Sequence, residues 1–415
     1  MTPEERSVLD HLDTGRLLED LGELVAIPSL GGHERPAQER MAELMEELGM
    51  EVDRWEVDLP SLRKHRAYSA EIERDEALGV VGRTGLGDGP TLVLNGHVDV
   101  VPAGEEDRWT VSPWEATLRG GRVYGRGTVD MKGGLCCALA ALRAVADAGV
   151  EVSGTVALQS VVGEEDGGLG TLAAVDRGHT GDAAIVLEPT ELAVAPAQAG
   201  ALDFRLTVPG RGAHGALAGE GVSPLDRFLP LYEAMQAFAR RTNESVDDPL
   251  FASYETPFAL CVGRLRAGDW PSNVPESLVC EGRLGVSPHQ DPEEARHGFA
   301  GAIHEAAGED PWLRENPPLL EWHGAQFEPA AISADHSVVT TLAEAHEAAA
   351  GAPAHVRGMP YGADMRLLVN EGNTPTVLYG PGDVRRAHAP DEFVAVAELE
   401  TAARALALAI LRFCG

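Results

Sequence analysis

The sequence predicts an α/β protein whose mostly parallel sheet is flanked by helices and interrupted by a smaller inserted α+β domain. Three observations carry this. From Thr91 onward short apolar runs alternate with helical patterns, the signature of strands joined by crossover helices. Near residue 199 that rhythm gives way to alternating strands in a β-α-β-β-α-β order, the ferredoxin-like arrangement, and after residue 325 it returns. The length, 415 residues, exceeds what one core usually holds. A two-part catalytic domain (1–198 and 326–415) is therefore expected, with an inserted domain over 199–325.

The elements follow from local pattern. Asp13 to Ile27 and Pro36 to Leu48 read as amphipathic helices, the second ending at Gly49, and a strand-like segment begins after Val52. Thr91 to Leu94 forms an apolar run that leads into His97. The clearest helix is alanine-rich, Leu135 to Ala148, preceded by Gly133-Gly134 and stopped by Gly149. Thr155 to Val162, Ala183 to Leu187 and Thr376 to Tyr379 are the remaining apolar runs of the larger domain. In the inserted part, Leu202 to Val208, Phe258 to Leu265, Leu278 to Val286 and Leu319 to Trp322 read as strands. Val222 to Arg241 and Pro292 to Ala307 read as helices, and the polar stretch Thr242 to Pro249 as a surface loop.

Bulk properties narrow the function. With 66 acidic and 33 basic residues the formal charge is −33, a poor match to the phosphates of nucleic acid. An acidic, solvated surface is the plain meaning of that balance. No window approaches the ~18 apolar residues of a membrane span. The opening residues Met1 to Arg6 are polar and acidic, without the marks of a secretory signal. The five cysteines (136, 137, 261, 280 and 414) show no metal or disulfide spacing. Buried reduced thiols and a cytoplasmic location are expected.

The chemistry lies at the ends of the apolar runs. In an open α/β sheet, sites gather outside the carboxyl ends of the strands. There stand His97 and Asp99, the adjacent Glu164 and Glu165, Glu188, and a glycine-rich loop leading to His388. His97 and Asp99 are two apart on an extended segment, so a ligand histidine could have its second nitrogen held by a carboxylate. Asp130, flanked by glycines just before the long helix, reads either as an N-cap or as a carboxylate bridging two cations. Neighbouring Glu164 and Glu165 point different ways, which permits one to bind metal and the other to polarise water. An all-oxygen-and-nitrogen set suits zinc, with cobalt or manganese as substitutes. Two such ions would clamp an attacking oxygen and a developing oxyanion together.

The run Gly96-His97-Val98-Asp99-Val100-Val101-Pro102, then Trp109 and Pro113-Trp114, then Gly125-Arg126-Gly127-Thr128-Val129-Asp130-Met131-Lys132-Gly133-Gly134, resembles a known family. It is the di-zinc metallopeptidase family of acetylornithine deacetylase, succinyl-diaminopimelate desuccinylase, aminoacylase and glutamate carboxypeptidase. The resemblance extends over essentially the whole chain. It implies that His97, Asp130 and Glu188 hold one zinc and Asp130, Glu165 and His388 the other, that the Asp130-Met131 peptide is cis, and that Asp99 orients His97. It makes Glu164 the general acid/base that works on a zinc-bound hydroxide. Within 210–215, His214 resembles a histidine that crosses a homodimer interface, formed through the inserted lid domain, to stabilise the oxyanion. Asn273 in Ser272-Asn273-Val274-Pro275 resembles a substrate-contacting turn, and Arg283 is a candidate partner for a substrate carboxylate. The stretch from Met359 to Arg366 departs from the Gly-Thr/Ser-Asp-Ala turn of many relatives, and Arg366 either pairs with Asp364 or reads a substrate carboxylate.

Other hydrolase and nucleotide-binding signatures are missing. No Gly-x-Ser-x-Gly is present, His304-Glu305 and His346-Glu347 lack the second zincin histidine, and no P-loop occurs. The expected activity is removal of a short N-acyl group from an N-acyl amino acid or related amine. A dipeptidase or carboxypeptidase is the alternative within the family, and a non-catalytic binding member the alternative outside enzymes.

Overall fold

The computed structural model describes residues 1–85 and 87–415. The chain forms two compact units. The first comprises Met1–Ala197, Ala331–Gly358 and Ala363–Gly415; the second comprises Gln198–Ala330 with Met359–Gly362. The short return of 359–362 into the second unit carries no sign in the sequence.

The first unit is built on a six-stranded sheet in the order Glu51–Glu56, Leu78–Arg83, Thr155–Val161, Thr91–His97, Ala183–Val186, Thr376–Leu378. The last four run parallel to one another. The two at the other edge are antiparallel additions, joined to each other and to Thr155–Val161. Every residue of Thr155–Val161 and Ala183–Val186 is buried. Since side chains alternate along a strand, both faces there are covered, which is why these segments read as continuous apolar runs. Helices Lys132–Asp147 and Val396–Cys414 pack on each other and on Thr91–His97, while Arg35–Glu47 and Leu169–Asp176 pack against Leu78–Arg83 and Thr155–Val161.

The long helix starts at Lys132, three residues before the expected Leu135. Gly133 and Gly134, which open the expected helix, lie within its first turn. A Cβ on Gly134 would come within 2.3 Å of the Leu187 carbonyl oxygen, and one on Gly133 within 2.4 Å of that of Thr128. The glycines are there for close approach, at a helix-propensity cost of about 1 kcal/mol each. Lys132 is fully buried, and its ammonium donates to the carbonyls of Leu24 (2.8 Å) and Ile27 (2.9 Å).

The second unit has a four-stranded antiparallel sheet in the order Leu260–Ala267, Ser277–Val286, Gly200–Pro209, Leu319–Phe327. Alternate residues Leu202, Phe204, Leu206 and Val208 meet a core that includes Phe228, Leu231, Met235, Phe299 and Ile303 from helices Pro224–Glu244 and Pro292–Gly308. The first of these helices opens on Ser223, whose hydroxyl accepts from Asp226 N–H, with Pro224 following. It continues to Glu244, so residues 242–244 of the expected loop are helical.

Candidate metal centre

The first unit brings six ligand-type side chains together at the carboxyl ends of its parallel strands. His97 closes strand Thr91–His97, Glu164 and Glu165 follow Thr155–Val161, and Glu188 follows Ala183–Val186. His388 lies on the loop after Thr376–Leu378, and Asp130 precedes the long helix across a cis peptide to Met131. Nε2 of His97 stands 3.1 Å from Oδ1 of Asp130, 3.9 Å from Glu188 and 4.0 Å from Glu164. Nε2 of His388 stands 3.3 Å from Oδ2 of Asp130 and 3.0 Å from Glu165. Asp130 thus presents one carboxylate oxygen to each imidazole. Met131, rather than Asp130, takes the N-cap position of the helix.

The tautomer of His97 follows from its partner. Its Nδ1 lies 2.9 Å from the main-chain carbonyl of Asp99, which can only accept, so Nδ1 carries a proton and Nε2 is the ring nitrogen turned toward the carboxylates. This corrects the expectation for the Asp99 side chain. Its carboxylate is 3.7 Å from Nδ1, too long for a hydrogen bond, and accepts instead from the Glu165 N–H at 3.1 Å. Asp99 orients His97 through its backbone and Glu165 through its side chain.

Four carboxylates (Asp130, Glu164, Glu165 and Glu188) share this pocket with two imidazoles. Burial pushes Glu164 and Glu188 well above the usual carboxylate range; the charge of Glu188 raises Glu164 further, and that of Asp130 raises Glu188. Asp130 goes the other way: burial opposes its charge, but the two histidines outweigh it and hold its carboxyl low. Asp130 and Glu165 push His388 up to about 10. Three buried basic side chains are engaged with other groups: Lys132 on two carbonyls, Arg126 on Glu392, Arg74 on Glu34 and Asp166. Clustered buried carboxylates of this kind are costly unless cations compensate them. Ligand atoms of His97, Glu164 and Glu188 lie within 4.8 Å of one another, as do those of His97, Asp130 and Glu165. The donor set therefore fits divalent metal.

Of the remaining site candidates, Arg366 belongs to the first unit and the other three to the second. Arg366 is buried and donates to the Gly167 carbonyl at 2.8 Å, holding the turn that follows Glu164-Glu165. His214 and Asn273 belong to the second unit, where they face each other across a two-residue antiparallel bridge. With Trp270 and Glu276 they line an open cavity of about 670 Å³. Arg283 lies opposite Asp203 on the sheet of that unit, and burial lowers its pKa.

Two supporting groups escaped the sequence reading. Arg74 bridges Glu34 and Asp166 in a buried cluster behind Gly163, on which a Cβ would meet the guanidinium at 3.0 Å. Glu392 accepts from Val129 and Asp130 N–H. The proximity of Glu392 to His388 was the one available signal; for Arg74 there was none.

Comparison with known proteins agrees with this geometry. The family model described as peptidase family M20/M25/M40 matches residues 93–412. The chain is 28% identical, over 98% of its length and 97% of the relative's, to N-formyl-4-amino-5-aminomethyl-2-methylpyrimidine deformylase of Halalkalibacterium halodurans. Its fold is similar to that of the Saccharomyces cerevisiae di-peptidase Dug1p, with a TM-score of 0.75 at 14% identity, covering 100% of this chain and 99% of that one. It is similar also to the Bacillus subtilis YXEP protein, a dinuclear metal binding peptidase, with a TM-score of 0.62 at 17% identity over 96% and 99% of the two chains. The chain is a hydrolase of the peptidase family M20/M25/M40.

Proposed function

We propose that this protein is a two-metal amidohydrolase that removes a short N-acyl group from an N-acyl amino acid or related amine. The observation that carries the reading is the single carboxylate, Asp130, set between two imidazoles within a pocket of further buried carboxylates. The full-length likeness to a deformylase supports a deacylase over a peptidase. His97, Asp130 and Glu188 would hold one ion and Asp130, Glu165 and His388 the second, with zinc the expected metal and cobalt or manganese able to replace it. When bound, such a pair polarises the amide carbonyl and acidifies the attacking water.

The chain's own groups do the rest. Glu164 is not needed to complete either ligand set and sits 4.0 Å from His97 Nε2, beside both positions. Burial raises its pKa, which suits a group that must accept a proton and then release it. Glu164 takes a proton from the water whose oxygen bonds to the acyl carbon. It returns that proton to the nitrogen as the C–N bond breaks, leaving a carboxylic acid and an amine. Asp99 fixes the Glu165 backbone next to it. His214 and Asn273 are proposed to serve the acyl oxygen and the substrate in a homodimer formed through the second unit, with Arg283 contacting a substrate carboxylate. Arg366 serves the 163–168 turn.

Release of primary amine from N-formyl, N-acetyl and N-succinyl amines and from dipeptides, with zinc or cobalt present, tests the reading. Hydrolysis of the short N-acyl compounds is expected. Cleavage of dipeptides alone would move the enzyme to the peptidase branch, and no turnover of any compound would overturn the deacylase reading.

A further inference from the structure

The segment that carries His388 is unusual. His388 and Asp391 both have φ of +57°, a left-handed conformation that costs a non-glycine residue of order 1–3 kcal/mol and persists only where surroundings impose it. The His388 side chain is 53% exposed, so its own packing does little to place it. The segment is held at its far end. Oδ1 of Asp391 accepts from Thr110 N–H at 2.7 Å and from its hydroxyl at 3.1 Å. One residue later Glu392, fully buried, enters the loop that bears Asp130.

Glu392 is bound on all sides. Oε1 accepts from the main-chain N–H of Val129 (3.0 Å) and Asp130 (3.3 Å). Oε2 pairs with Nη1 of Arg126, and the Glu392 carbonyl accepts from Gly125 N–H at 3.0 Å. Arg126 is itself 2% exposed; Nη2 donates to the Pro102 carbonyl at 3.3 Å, and its guanidinium lies 5.3 Å from the Trp109 ring centre. One buried ion pair thus ties together the segment of His388, the loop of Asp130 and the stretch that follows His97-Asp99.

We propose that Arg126 and Glu392 are a positioning pair that sets Asp130 and His388 relative to each other, and thereby the affinity of the ion position formed by Asp130, Glu165 and His388. The inference rests on the two-metal reading above. Two of the three groups at that position hang from this pair. The position of His97, Asp130 and Glu188 shares only Asp130 with it, the other two standing on strand ends. Loss of the pair therefore weakens one ion far more than the other. Groups that orient ligands in this way are typically worth 10–100-fold in metal affinity.

The test is titration of the chelated full-length chain with Zn²⁺ by calorimetry and with Co²⁺ by visible absorption. His388→Ala marks the binding event that belongs to its position. In Glu392→Gln that event is expected to weaken about 10–100-fold with an altered Co²⁺ spectrum, the other event changing little. Arg126→Gln, which leaves the carboxylate without its cation, is expected to weaken the same event, and it carries the test alone if Glu392→Gln does not fold. Wild-type constants in the folded variants would overturn the proposal, as would equal loss of both ions, the mark of general loosening. A wild-type chain that binds fewer than two ions would overturn the two-metal reading and this proposal with it.

Discussion

Arg74→Met removes the cation from the cluster behind the Glu164-Glu165 turn. The guanidinium makes a two-pronged contact with Asp166, at 2.7 and 2.8 Å, and a second with Glu34, at 2.7 and 3.1 Å. Side-chain exposure is 1% for Arg74, 5% for Glu34 and 7% for Asp166, so water cannot replace the lost partner. Deleting one member of a buried ion pair typically costs about 3–5 kcal/mol, because the other is left uncompensated. For a unit of this size that is a fall in Tm of roughly 5–9 °C. Thermal and urea unfolding of the two proteins at pH 7 measure it. Adding Glu34→Gln and Asp166→Asn to the variant should recover a large part, since the stranded charges are then gone. A variant within about 1 kcal/mol of wild type, or a triple variant no better than the single one, would refute the argument that uncompensated charge sets the cost.

Four further outcomes are expected. Glu164→Gln should lower kcat by about 10²–10⁴-fold while two ions remain bound; loss of an ion instead would make Glu164 a ligand. His214→Ala should depress kcat with metal content unaltered, and an unchanged rate would remove it from the site. Gly134→Ala forces the helix away from the Leu187 carbonyl and should cost about 1–3 kcal/mol in chemical unfolding, the usual penalty for overpacking. The hydrogen bond from Arg412 (2.7 Å) lowers the Glu5 pKa below its ordinary value of 4.5. A depressed folded-state pKa means stability that is present above 4.5 and lost as pH falls through the folded value. The Tm gap between wild type and Glu5→Gln should therefore be open at neutral pH and close in acid; a gap independent of pH would contradict the assignment.

The ligand-type residues were legible because parallel strands advertise themselves. Runs buried on both faces stand out as unbroken apolar stretches, and the polar residue that ends each one marks the rim of the sheet. What hid was set by contacts distant along the chain. Strand Leu78–Arg83 gave no expectation, since its partners Glu51–Glu56 and Thr155–Val161 define it more than its own glycine-containing sequence does. The partners of Arg74 lie 40 residues before it and 92 after it, and nothing local distinguishes it from a surface arginine. Asp99 was rightly placed beside His97, but spacing alone cannot choose between carbonyl and carboxylate as the histidine's partner. That choice turned on the Glu165 N–H, which competes for the carboxylate.

The sheet order also has a consequence in time. Ala183–Val186 pairs on one side with Thr91–His97 and on the other with Thr376–Leu378, which the ribosome delivers only after the whole second unit. Chains grow at about 5–20 residues per second, so for many seconds the apolar strand Ala183–Val186 is an open edge able to recruit a neighbouring nascent chain. His388 arrives later still. Each new molecule therefore passes through a stage with its metal pocket incomplete and its sheet unclosed, and premature termination anywhere before residue 376 leaves it there.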